Sequence, residues 1–232
     1  MVDDLSKPLE VLPGFLSTIS MVEDDQAAVI KGFIGAERKS PPRYDVARQL
    51  IFKVLEGQIS LQQAQDYADS VSDPVDRRCA RQVLRAGQPF LKTASVAPVS
   101  ALPSMTVEVR AGLSLSVGPI WVRQLEEPRL LLLHVWDRPL NERQVRAALA
   151  VLRTALATQQ PAWSYREIDF VSVATPELAA ERHCRVHGWR TLAPMEDDEL
   201  ARFFRDMLSA WDAYLKIGPR PVKRRGPPGL FD

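Results

Sequence analysis

The spacing of apolar positions along this 232-residue chain changes near residue 105. Before that point it is helical. Phe15, Leu16 and Ile19, then Val29, Ile30, Phe33 and Ile34, predict two short helices, and Val46, Leu50, Ile51, Val54 and Leu55 predict a third that stops at Gly57. Ser60 followed three residues later by Gln63 forms a capping box for a fourth. Asp73-Pro74 supplies an N-cap and a first-turn proline for a fifth, which runs through Cys79, Val83 and Leu84 and is closed by Gly87. The uncharged, proline-bearing stretch 95–104 has no period and reads as a linker.

Beyond the linker the period is two. Val107 and Val109 alternate with Thr106, Glu108 and Arg110, and after Ala111-Gly112 the pattern resumes at Leu113, Leu115 and Val117. Gly118-Pro119 interrupts the second strand, which can resume at Ile120-Trp121-Val122. The run Leu130-Leu131-Leu132-Leu133-His134-Val135-Trp136 is too short for a membrane span and too apolar for a half-exposed strand, so it predicts a central strand buried on both faces. These strands together predict an antiparallel meander. Asn141 with Gln144 makes a second capping box, and Leu140 with Val145 a hydrophobic staple, so a helix starts there; Gln160-Pro161 ends it. Its length suits a crossover to a parallel strand at 167–173. Thr175-Pro176 then opens a predicted helix toward Gly188, and Asp197-Asp198-Glu199 opens a long one that ends at Gly218-Pro219.

The elements predict an α+β protein: a helical domain over 1–94, a linker over 95–104, an α/β domain with a mixed sheet and a long C-terminal helix over 105–217, and a basic, flexible Pro/Gly-rich tail over 218–232. The 46% hydrophobic and 25% charged content is that of a globular chain. A net charge of +1 offers no whole-molecule attraction to nucleic acid or membrane, but it conceals an asymmetry. From Lys216 onward five basic side chains face Asp232 alone, a surplus of +4 that leaves −3 elsewhere. Two cysteines, Cys79 and Cys184, are too few for a disulfide framework, the N-terminus lacks the pattern of a signal peptide, and no apolar stretch approaches a membrane span. A cytoplasmic protein with no membrane partner is expected.

The order of meander, crossover helix, strand and Gly-aromatic ending, best matched over Glu167 to Gly188-Trp189, resembles the GNAT acyltransferase superfamily across residues 106–192. The resemblance implies acyl-CoA as cofactor, held where Arg143, Gln144 and Arg146 fall in that family's glycine-bearing pyrophosphate loop. This chain departs from the pattern there. Arg146 stands in place of the first glycine, and a side chain at that position blocks close backbone approach. Outside that resemblance no cofactor is called for.

Other residues that could carry chemistry have plainer readings beside the functional ones. His183, Cys184 and His187 have metal-like spacing on the predicted helix, but zinc needs a further ligand and His134 is assigned to the buried strand; no metal site is predicted. Asp137, Glu167 and Asp169 at strand ends could hold Mg²⁺, or Asp169 could pair with an arginine. Arg77, Arg78 and Arg81 share a helix able to meet phosphates, although Asp66, Asp69, Asp73 and Asp76 lie nearby. Trp121, on the polar face of its strand, predicts an exposed interface anchor. In the tail, Lys223, Arg224 and Arg225 form a basic patch and Leu230 and Phe231 a docking peptide. The function this favours is a non-enzymatic interaction or regulatory protein that binds another protein or itself. A degenerate acyltransferase and a nucleic-acid-associated protein are the alternatives.

Overall fold

The leucine run is divided between two cores by its own pleat. In the computed structural model of the protein, which describes residues 5–6, 11–22, 25–37, 44–94, 97–136, 138–175, 181–188, 191–218 and 220–221, Leu130 and Leu132 point into one core while Leu131, Leu133 and Val135 point into the other. All six residues from Leu130 to Val135 are buried, as a strand covered on both faces requires.

Taken in order, a two-residue strand β1 (Leu5–Ser6) precedes five helices: α1 (Phe15–Met21), α2 (Gln26–Glu37), α3 (Asp45–Leu55), α4 (Leu61–Ser70) and α5 (Pro74–Ala94). Five strands follow: β2 (Val99–Ala101), β3 (Met105–Arg110), β4 (Leu113–Val117), β5 (Trp121–Arg123) and β6 (Arg129–Val135). The chain then forms α6 (Glu142–Gln159), β7 (Ile168–Ala174), β8 (His183–Gly188), α7 (Asp197–Ile217) and β9 (Arg220–Pro221), the last paired with β1, so that Arg220–Pro221 of the expected flexible tail is held as a strand. The central sheet has the order β2-β5-β6-β7-β8, with β6 and β7 parallel and every other pairing antiparallel. The fold is α+β with a mixed sheet and a long C-terminal helix.

Local chemistry explains where helices begin. Ser60 and Gln63 close the predicted capping box of α4, and Asn141 and Gln144 that of α6, with both side chains bonded reciprocally to backbone N–H groups. At α7 the acid run Asp197-Asp198-Glu199 forms the first turn at the positive end of the helix dipole, as expected, and a capping box adds to it: Glu196 is the N-cap, and Glu199 accepts from its backbone N–H. Gly218, at φ 71°, ends that helix in a conformation that glycine adopts without strain.

Three expectations are corrected. Val99–Ala101, within the expected linker, is an edge strand hydrogen-bonded to β5. The hairpin β3–β4 forms its own two-stranded ribbon instead of extending a meander, because Gly118-Pro119 carries the chain off before β5, and Pro119 has no N–H with which to continue the ladder. The stretch leading to Gly188, expected as a helix, is a strand from His183; residues 176–180 and Trp189 lie outside the described residues. All seven residues of β7 are buried, and a strand so enclosed needs a hydrogen-bonding neighbour on the side away from β6, which overrides the local helical pattern of 183–188.

The N-terminal helices are shared between the two faces of the sheet. Phe15, Ile19, Val29 and Phe33 from α1 and α2 join the core of α6, α7 and the β3–β4 ribbon, where the Phe33 ring meets Trp211 edge-on at 5.0 Å. Leu50, Ile51, Ala64, Ala80, Val83, Leu84 and Leu91 from α3, α4 and α5 join Leu131, Leu133, Val171 and Val173 on the other side. Residues on both sides of 95–104 therefore contribute to each core.

Candidate functional site

The outer face of the 21-residue helix α5 carries a row of exposed cations. Its start is set by Asp73, whose Oδ1 accepts from the N–H groups of Val75 (2.8 Å) and Asp76 (2.9 Å), with Pro74 as the first helical residue. Cys79, Ala80, Val83, Leu84, Gly87, Leu91 and Ala94 form its buried stripe. That fixes the rotation of the helix and turns Arg78, Arg81, Gln82, Arg85 and Lys92 outward, all exposed. At 1.5 Å per residue the cations from Arg78 to Lys92 span roughly 21 Å of helix axis.

Partnering differs along this face. Arg81 pairs with Asp69 of α4, and the Arg77 Nη2 donates to the Ser72 carbonyl at 3.1 Å. Arg78 and Arg85 have no acidic partner among the described residues. Of the acids expected to cover this surface, Asp73 is consumed by the helix cap and Asp66 accepts from Gln62. A groove of about 400 Å³ runs over Pro74, Arg77, Arg78, Arg81, Gln82 and Arg85. The structure thus brings together the three arginines read from the sequence and adds Arg85 and Lys92. These two continue the spacing of seven between Arg78 and Arg85 to Lys92, a signal present in the sequence.

The other anticipated residues fare differently. Trp121 is 3% exposed and stacks on Phe52 of α3, with ring centroids 3.9 Å apart and planes 22° apart, so it is not a surface anchor. Reading its strand as half-exposed fails because helices cover the sheet on both sides. Lys223, Arg224, Arg225, Leu230 and Phe231 lie outside the described residues. Arg143 pairs with Asp206 at 3.4 Å and lies 5.6 Å over the Phe203 ring. The Gln144 side-chain amide donates to the carbonyls of Ser20 and Val22 at 3.1 Å each, fastening α1 to α6. Arg146 donates to Glu199 at 2.7 Å and to the Ala193 carbonyl at 3.1 Å.

On strand β8, His183 and His187 are about 13 Å apart along the chain, too far to share an ion, and Cys184 points to the opposite face. Burial pushes the Cys184 thiol up to about 11. Burial, then the nearby Arg185 charge, lowers His187. His134 is fully buried, with Nδ1 3.1 Å from the Ser172 hydroxyl; burial first, and the Arg182 charge second, lowers its pKa to about 4, so the ring is neutral. Asp137 lies outside the described residues, while Arg129 grips both Glu167 (2.9 Å) and Asp169 (2.5 Å), with Arg123 3.7 Å from Asp169. Those two carboxylates are ion-paired with arginines, as expected for Asp169. Among the described residues no group of three or more His, Cys, Asp or Glu side chains is placed to hold a metal ion, and no helix is long and apolar enough to cross a membrane.

No protein-family model matches the chain, and no curated protein matches it. Among solved structures it is similar to a protein from Eubacterium rectale named "Putative exonuclease", at 10% sequence identity and a TM-score of 0.44, over 90% of this chain and 84% of that one.

Proposed function

We propose that the protein is a non-enzymatic macromolecule-binding protein whose docking face is the outer side of α5, and that this face takes the phosphate backbone of a nucleic acid. The observation behind the reading is the pair Arg78 and Arg85, exposed on one face of a helix fixed by its buried stripe and lacking acidic partners among the described residues. Guanidinium groups suit phosphate because their planar donor fork binds two oxygens at once. Contacts of this kind position a duplex without reading its sequence, so binding through this face is sequence-tolerant and strongly dependent on salt.

The acyl-CoA reading receives less support, because Arg143, Gln144 and Arg146 are each engaged in contacts that hold helices together. An interface built on Trp121 loses its anchor to the core. A gel shift with a short duplex of arbitrary sequence, run at low and at physiological salt, tests the proposal. The expected result is a shift at low salt that fades by roughly a hundredfold in affinity between 50 and 200 mM salt if four cations are engaged. No shift at low salt rejects the reading, and equal retention of polyglutamate would redirect it to an acidic protein partner.

A further inference from the structure

A second feature shares no residue with the α5 face. At the carboxyl end of β6 a cavity of about 150 Å³ opens between the first turn of α1, the outer side of α3 and the sheet. Elements from opposite faces of the sheet meet here: Phe15 of α1 belongs to the core with α6, whereas α3 belongs to the other. A crevice outside the carboxyl end of a strand, between layers on opposite faces, is where open α/β sheets commonly bind small molecules.

The lining is chemically mixed in an ordered way. Phe15 and Trp121 are buried at 2% and 3% exposure and form the floor. Half-buried Phe52, stacked on Trp121, and Trp136 form the walls. Among the described residues Arg48 is the one charged group of the lining, its side chain 36% exposed, and its only acidic neighbour is Asp45, one turn away at 3.7 Å. A contact that long leaves the guanidinium fork able to take a second anion.

We propose that this cavity binds a small planar monocarboxylate of benzoate size, with its ring against Phe15, Phe52, Trp121 and Trp136 and its carboxylate on the Arg48 guanidinium. The size follows from the volume of about 150 Å³, which is that of a cavity able to accept a benzene ring, and the mixed lining suits a ring that carries a polar group. The charge follows from Arg48, and the single negative group from its being the one cation among the described lining residues. A phosphate dianion is disfavoured because it needs several convergent donors.

The test uses the full chain and two isosteric probes, benzoate and benzamide, followed by calorimetry and by tryptophan fluorescence, which Trp121 and Trp136 should report. Benzoate is expected to saturate with a dissociation constant near or below about 1 mM, and benzamide to bind about tenfold more weakly. Arg48→Gln should weaken benzoate to the level of benzamide and leave benzamide unchanged. Equal binding of the two probes by the wild-type protein, an unchanged benzoate constant in Arg48→Gln, or no saturable response at several millimolar would each overturn the proposal. The wild-type comparison of probes needs no variant, so it stands even if Arg48→Gln misfolds.

Discussion

Arginines gather at two surfaces of this molecule, and the surfaces differ in what answers the charge. Between α6 and α7 a groove of about 600 Å³ is lined by Arg143, Arg146, Arg202 and Arg205, but also by Glu142, Glu199 and Asp206. Arg143 and Arg146 are bound to carboxylates there, and Arg202 donates to the Asp198 carbonyl. The α5 groove is smaller and has no acid among the described residues of its lining. Neither groove size nor arginine count distinguishes a binding face from a structural ion-pair network. The distinction lies in whether the cations are already neutralised, because a guanidinium held by a carboxylate must give up that bond before it can take a phosphate.

The largest effect that would break this comparison is on nucleic-acid affinity. Arg78→Ala/Arg85→Ala should weaken duplex binding by roughly ten- to a hundredfold at low salt, whereas Arg143→Ala/Arg146→Ala should change it by no more than about twofold, both read by fluorescence anisotropy. Equal losses at the two surfaces would mean that partnering does not matter. A gain of function is the next largest. Asp69→Asn frees Arg81 without changing side-chain volume, and affinity should rise by about two- to fivefold.

Stability should respond in the opposite sense. Arg78→Ala, which removes an exposed side chain with no ion-pair partner among the described residues, is expected to shift unfolding by less than about 0.5 kcal/mol. Arg146→Ala removes bonds to both Glu199 and the Ala193 carbonyl and should lower the melting temperature more. The smallest expected effect is on pH dependence. The backbone N–H of Glu196, and after it the Arg146 guanidinium, hold the Glu199 carboxyl below its usual value near 4.5. A carboxyl lowered in the folded state stabilises above its unfolded value and loses that contribution as pH falls through the folded one. Glu199→Gln should therefore lessen the decline in melting temperature below about pH 4.5, slightly, since the side chain is still about a third exposed and solvent screens the charge.

Much of this architecture can be read from local chemistry. The capping boxes at Ser60 and Asn141, the Asp73-Pro74 start of α5 and the doubly buried leucine strand are each specified within a few residues. What could not be read depends on neighbours distant in sequence. His183–Gly188 becomes a strand because β7 requires a partner, and Trp121 is buried because α3, some seventy residues earlier, places Phe52 over it. The α5 face falls between these cases: its arginines are visible in the sequence, but which acids are already committed is not. Asp73 looks like neutralising charge until its cap bonds are seen. The cavity at Arg48 had no signature at all, since its walls come from residues 14–17, 48–52, 118–121 and 132–136.

The most direct measurement of the central claim is the salt dependence of duplex binding for the wild-type protein and for Arg78→Ala/Arg85→Ala. If these two cations meet phosphates, the slope of log K against log salt should become shallower by about two in the variant. A slope that stays the same would place the phosphate contacts elsewhere and contradict the assignment of α5.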